Sequence, residues 1–210
     1  MYCPAHFEEQ RPEVLRQLIA DHPLATIVRE GEDGLVADHV PLLHEPCVHG
    51  HGNLIGHVAR ANPLWQADPA QELLLVFQGP QTYISPNWYA TKAEGGKVVP
   101  TWNYTVVHVH AALTPVHEPD ALLDILEQLT RQHEATQPHP WQVGDAPADF
   151  THKLLEHIVG VRLEIRRMQG KWKVSQNQPE TNRAKVASAL SASTNSVSQA
   201  MATLILTPRR

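Results

Sequence analysis

The stretch "GHVARANPLW", residues 56–65, gathers the residue types that grip a phosphate. Asn62 followed by Pro63 is a helix start, because Asn is a favoured N-cap and Pro is preorganised for the first helical turn. A helix N-terminus presents unpaired N–H groups and partial positive charge, which suits an anion. Arg60, just before that start, can hold phosphate oxygens through two parallel bonds, and His57, at a strand end, can donate another. The spacing thus describes a cradle for a terminal phosphate. It equally describes a surface helix cap with an exposed arginine, and spacing alone leaves both standing.

Four other constellations carry chemistry-bearing side chains. In "VADHVPLLHE" Asp38 and His39 are neighbours on a strand and point to opposite faces, so they make no catalytic pair, and no serine or cysteine nucleophile motif accompanies them. Pro41 prevents full pairing of that strand and leaves backbone groups free to bond a ligand's polar rim. "HGH" at 49–51 and "HVH" at 108–110 each place two imidazoles on one strand face. A metal site needs three or four converging ligands and neither pair has an obvious third, so no metal is expected. "PTWNY" and "GKWKVSQN" put Trp102, Asn103, Tyr104, Trp172, Lys173, Ser175, Gln176 and Asn177 at strand ends. Aromatic faces beside amide donors suit a planar heterocycle, and they suit equally a tryptophan-plugged barrel end with amides capping loops. The tail "NRAKVASALSASTNSVSQAMATLIL" reads as two helical halves with Ala187, Leu190, Val197 and Leu204 as candidate core positions. Its second half offers Ser196, Ser198 and Gln199 and almost no basic residue, a poor reader of DNA.

These residues need a framework to position them. "RPEVLRQLIADHP" has the period of a short helix with Val14, Leu15, Leu18 and Ile19 on one face and Pro23 after its end. "LATIVREGEDGLVADHVPLLHE" reads as a hairpin with its turn at Gly31–Gly34, followed by a turn at Gly50–Asn53 and another strand. "ELLLVFQGPQTYIS" predicts two strand segments broken at Gly79-Pro80, and Glu94–Lys97 a polar loop. The run "VVPTWNYTVVHVHAALTPVH" alternates as a strand. "PDALLDILEQLTRQHEA" and "PADFTHKLLEHIV" are helical patterns, the first started by Pro119-Asp120 and the second stopped by Gly160. "VRLEIRRMQGKWKVSQN" returns to alternation. About six strands joined by short turns predict an antiparallel barrel rather than a parallel sheet.

Composition narrows the class. A chain of 210 residues with 42% hydrophobic content can bury its own core. A net charge of −5 argues against a surface built for nucleic-acid phosphate, and the 14 histidines make that charge sensitive to mild acid. Cys3 and Cys47 sit in no CxxC or disulfide-dense pattern, so two reduced thiols are expected. The N-terminus lacks the basic and apolar regions of a signal peptide, and no run approaches the ~20 apolar residues of a membrane helix. A cytoplasmic protein that engages no membrane is the expectation.

Taken in order, "MYCPAHF", "DHVPL", "GHVARANPLW", "LVFQGPQTYISPNWY", "VPTWNY" with its following VH, and "VSQN" resemble the PaiB family, described as FMN-binding negative transcriptional regulators. The match runs from Met1 to about Asn177. The resemblance implies a mainly β (α+β) fold, the antiparallel Greek-key split β-barrel of the FMN-binding type with peripheral helices, shared with pyridoxamine-phosphate oxidases and flavin reductases. The barrel domain would cover 1–178, with inserted helices near 119–159, and 179–210 would be a C-terminal helical tail. It further implies a homodimer with FMN at the subunit interface. By the same resemblance His57, Val58, Ala59, Arg60 and Asn62 fall on the phosphate-gripping segment. Asp38, His39, Val40, Pro41 and Leu42 would face the isoalloxazine. Trp102, Asn103, Lys173 and Gln176 would close the pocket. Two departures stand beside the motifs: Ala111 where the family has glycine after the VH pair, and Val174 where it has leucine.

For function the resemblance implies a negative transcriptional regulator, with DNA as a partner that the acidic charge does not support. The alternative is a flavin-dependent oxidoreductase or flavin reductase using the same pocket, for which His39 and His108 are the candidate proton carriers.

Overall fold

Strand alternation and turn chemistry account for most of the architecture. The protein is described from a computed structural model covering residues 1–48 and 50–207. The first histidine of the HGH motif, at position 49, lies outside the described residues. Eight strands form one sheet in the order β3-β2-β6-β7-β8-β5-β4, with β1 beside β8, and every pair whose register is defined is antiparallel. The strands are β1 Glu8–Glu9, β2 Leu24–Gly31, β3 Gly34–Pro41, β4 Leu43–Glu45, β5 Asn53–Ala59, β6 Leu73–Ile84, β7 Thr101–Val116 and β8 Ile158–Lys173. The helices are α1 Pro12–Asp21, α2 Lys92–Gly95, α3 Pro119–Glu134, α4 Ala148–Leu155, α5 Glu180–Ser191 and α6 Ser196–Leu206. Two compact units share the chain.

The first unit comprises Met1–Leu18, Gln78–Val107 and the chain from Gln169 onward. Helix α1 buries Leu15 and Leu18, as its period predicts. Strand β6 runs unbroken through Gly79-Pro80, against the expectation of two segments. Gly79 is there for space: a Cβ would collide with Thr105 Oγ1 and lie 2.9 Å from Leu18 Cδ1. Gly170 serves the same end, letting Leu15 and the Glu9 carbonyl approach β8, where β1 pairs Glu8 with Lys171. The polar loop expected at 94–97 overlaps the short helix α2, which Gly96 ends with a left-handed φ of 66°. Helices α5 and α6 pack as a hairpin, tied by Arg183 Nη2 donating to the Ile205 carbonyl at 2.7 Å. Asn195 caps α6 by accepting from the Val197 and Ser198 amides. The buried face of α6 is Ser198, Met201, Ala202 and Ile205, not the expected Val197. The cap sets the helix phase, and from a start at Ser196 Val197 rotates into solvent. Asn182, 2% exposed, accepts from the Thr91 amide and donates to Thr91 and Gln178, fixing α5 in this unit.

The second unit comprises Ile19–Phe77 and His108–Met168. Strands β2 and β3 pair from Leu24 opposite Pro41 to Gly31 opposite Gly34, so the turn falls where the sequence places it. Strand β5 pairs with β4 and with β8, His57 standing opposite Gly160. At Gly56 a Cβ would sit 2.8 Å from the Pro41 carbonyl and 2.7 Å from Leu42 Cδ2, so the end of the DHVPL segment rests directly on β5. Gly160 does not stop a helix: α4 ends at Leu155 and Gly160 lies inside β8. A Cβ there would lie 3.0–3.2 Å from Val116, Ile125 and Leu122, so the missing side chain admits α3 against the sheet. Leu122, Ile125 and Leu129 form the buried face of α3, and Ile125 and Leu129 cluster with Ile55 of β5.

Candidate functional site

The second unit holds the phosphate-binding candidates. Arg60 follows the end of β5, and its guanidinium is oriented by two backbone carbonyls: Nε donates to Glu156 O at 2.6 Å and Nη2 to Ile158 O at 3.0 Å. Of the five N–H groups of a guanidinium, both on Nη1 and one on Nη2 remain for a ligand. The Arg60 carbonyl accepts from Trp65 Nε1, and the Trp65 ring meets His117 edge-on at 5.4 Å. A cleft of about 350 Å³ opens beside Arg60, lined also by His117, Asp120, Leu122, His152 and Leu155. His57 is half-buried, its Nδ1 has no partner, and burial pushes its pKa below the ordinary value. Such an imidazole is neutral near physiological pH and has a ring nitrogen to offer.

The helix start at Asn62 is a single 3₁₀ turn, Pro63–Gln66. Asn62 Oδ1 accepts from the Leu64 amide at 2.8 Å, and Nδ2 donates to Asp38 Oδ1 at 2.8 Å. The free amides expected of a helix N-terminus are therefore not offered to an anion here, and Arg60 and His57 are left as the donors. Asp38 is balanced by Arg29, whose Nε lies 3.6 Å from Asp38 Oδ2. Both of those atoms are buried and neither makes a hydrogen bond, so the pair interacts through charge alone.

The remaining residues of these two motifs divide by strand parity. Val40, Leu42 and Val58 are buried in the core, while His39, Pro41 and Ala59 are exposed. The Leu42 amide donates to the Pro23 carbonyl at 2.9 Å. His117 and His152, which share the cleft with Arg60, stand in no motif of the sequence, and only the fold brings them there.

In the first unit Asn103, Thr105 and Val107 are buried, as is Val106, while Trp102 is 49% exposed; in the second unit Val109 and Ala111 of the same strand are buried. Trp102 Nε1 donates to Gln81 Oε1 at 2.9 Å, and its ring stands 6.2 Å from that of Tyr83. On the inner face Asn103 Nδ2 donates to Ser175 Oγ at 2.9 Å, while Asn103 Oδ1 is buried without a partner. Lys173 Nζ donates to Thr101 Oγ1, and burial, with the charge of Lys171, pushes the Lys173 pKa down. Gln176 turns back on its own chain, accepting from the Val174 amide and donating to the Trp172 carbonyl. Asn103, Lys173, Ser175, Thr101, Tyr89 and Gln178 line a cleft of about 170 Å³. Tyr89 and Thr101 lie inside the quoted motifs without having been singled out, and Gln178 carried no signal in the sequence.

The histidines of "HVH" do not converge on a metal. His110 Nδ1 lies 2.7 Å from Glu72 Oε1, and Arg167 Nη2 donates to His110 Nε2 at 2.9 Å. An arginine donor on Nε2 places the proton on Nδ1, so the ring bridges a carboxylate and a guanidinium on the strand face. His108 is half-buried, and burial, its largest influence, pushes its pKa down. Among the described residues no three His, Cys, Asp or Glu side chains gather as metal ligands, and no helix is long and apolar enough to cross a membrane.

Comparison with known proteins places this geometry. Residues 1–167 match the family described as "Putative FMN-binding domain". The chain is 29% identical over 206 residues to the protease synthase and sporulation protein PAI 2 of Bacillus subtilis, spanning 98% of this chain and 96% of that protein. It is 31% identical over 219 residues to an uncharacterized protein of Emericella nidulans, spanning 87% of each. Among solved structures, the FAD and heme binding protein of Mycobacterium smegmatis matches with a TM-score of 0.60 at 16% identity, over 86% of this chain and 79% of that one. A flavocytochrome from Azotobacter vinelandii matches with a TM-score of 0.60 at 13% identity, over 79% and 69%. At such identities the structures speak for the fold alone, the flavin-binding split barrel. The family match and the motifs agree, and the chain belongs to the FMN-binding family of the PaiB proteins, with FMN as its cofactor.

Proposed function

We propose that this chain is a PaiB-type negative transcriptional regulator that works as a cytoplasmic homodimer with FMN at the subunit interface. The observation that carries the reading is the family match over residues 1–167, most of the chain. The sporulation protein it resembles along nearly its whole length supports the regulatory part.

In this reading Arg60 holds the FMN phosphate, because two carbonyls fix its guanidinium while three N–H groups stay free. His57 adds a bond through the unpaired Nδ1. Asp38 positions the segment rather than touching the phosphate, since a carboxylate held by Arg29 and Asn62 would repel it. The backbone and exposed side chains of His39 and Pro41 meet the polar edge of the ring. Bound FMN supplies two-electron redox chemistry, and the protein's part is to orient it and exclude water.

The net charge of −5 favours a second reading, a flavin-dependent oxidoreductase, because a DNA-reading surface needs a basic footprint. Purified protein separates the two. Salt-sensitive binding to a specific operator is the result expected of the regulator, and flavin reduction by a nicotinamide donor without operator binding would transfer the assignment to the enzyme. A colourless protein that takes up no FMN on reconstitution would contradict both.

A further inference from the structure

We infer that the cleft beside Asn103 and Lys173 in the first unit binds a small carboxylate bearing an adjacent hydroxyl, a ligand distinct from the flavin. Its volume of about 170 Å³ gives room for a small organic acid.

Lys173 supplies the cation. It is half-buried, its one hydrogen bond goes to the neutral Thr101 hydroxyl, and no carboxylate lines the cleft among the described residues. A partly desolvated ammonium without a counter-charge is costly, and an entering carboxylate removes that cost with a charge-assisted bond. Asn103 supplies the acceptor. It is 1% exposed, its Oδ1 has no partner, and the hydroxyl beside a ligand's carboxylate is the donor that this oxygen lacks.

Ser175 holds the arrangement in place. Its φ of 62° is the only left-handed backbone among described non-glycine residues. Such conformations persist where surrounding structure over-determines them, and they gather at ligand sites. Here the turn sets Ser175 Oγ 2.9 Å from Asn103 Nδ2, which fixes the amide with its oxygen left over for the ligand. A cation without a counter-ion, an acceptor without a donor and a strained residue that orients the acceptor meet in one cleft.

The test uses the full-length protein with glycolate and acetate as probes. Calorimetric titration should give saturable binding, with glycolate several-fold tighter than acetate because only glycolate carries the hydroxyl. The Asn103 side-chain amide resonances of ¹⁵N-labelled wild-type protein should shift in step. Lys173→Gln should weaken glycolate at least tenfold, the loss of one charge-assisted bond, and Lys173→Arg should retain most of the affinity. FMN-saturated protein should bind glycolate as well as flavin-free protein does. Three results would overturn the inference: no saturable resonance shift, which would mean the cleft holds water alone; equal glycolate affinity in wild type and Lys173→Gln; or loss of glycolate binding on FMN loading, which would give the cleft to the flavin. Failure of FMN uptake would remove the flavin reading and leave the glycolate titration standing.

Discussion

Asn62 joins two motifs that lie more than twenty residues apart in sequence: its Nδ2 donates to Asp38 Oδ1 at 2.8 Å while its Oδ1 caps the Leu64 amide at 2.8 Å. One side chain thus sets the DHVPL segment against the turn that follows Arg60. Asn62→Ala removes a cap worth about 1 kcal/mol and strips a partly buried carboxylate of its amide donor, for a total loss of ~2 kcal/mol. A double-mutant cycle with Asp38→Ala, read from urea unfolding, should show a coupling of about 1 kcal/mol between the two positions. Additive effects would mean that the bond ties nothing.

The glycines give a paired test of packing. Gly79→Ala drives a methyl group into Thr105 Oγ1 and Leu18 and should destabilise by about 1–3 kcal/mol. Gly95→Ala meets nothing within 4 Å in a short helix and should be neutral or stabilise by up to ~1 kcal/mol. Equal midpoints for the two variants in chemical denaturation would show that β6 does not need the missing side chain.

Acid should loosen the fold through two histidines. Burial holds both His57 and His108 below the ordinary value of 6.5. The unfolded chain then takes up protons before the folded one, so stability is complete above about pH 6.5 and is lost as pH falls through the folded values. The urea midpoint should therefore drop between about pH 7.5 and pH 5.5. The His57→Gln, His108→Gln double variant should show a shallower drop, and an equal slope would assign the acid sensitivity to other groups.

How far the sequence was legible depends on where the controlling forces lie. The α1 face at Leu15 and Leu18 and the hairpin turn between Gly31 and Gly34 are set by local period and turn chemistry, and both are where the pattern places them. Gly79 and Gly160 read locally as a break and a stop, yet each is explained by a distant side chain that needs the space. Alternation showed that Trp102 and Asn103 face opposite ways but not which one is inside, because that depends on the neighbouring strands. The motifs named the family and with it FMN and the fold. They did not show that Asn62 is occupied by Asp38, that His117 and His152 stand beside Arg60, or that Ser175 is left-handed. Those are tertiary facts with no local signature.

The assignment of Arg60 to the FMN phosphate is tested most directly by titrating FMN into wild type and Arg60→Ala and following the flavin fluorescence, with circular dichroism to confirm that both are folded. Loss of a charge-assisted phosphate contact worth more than ~1.5 kcal/mol predicts at least tenfold weaker binding in the variant. Equal affinity in two folded proteins would contradict the assignment and move the phosphate elsewhere.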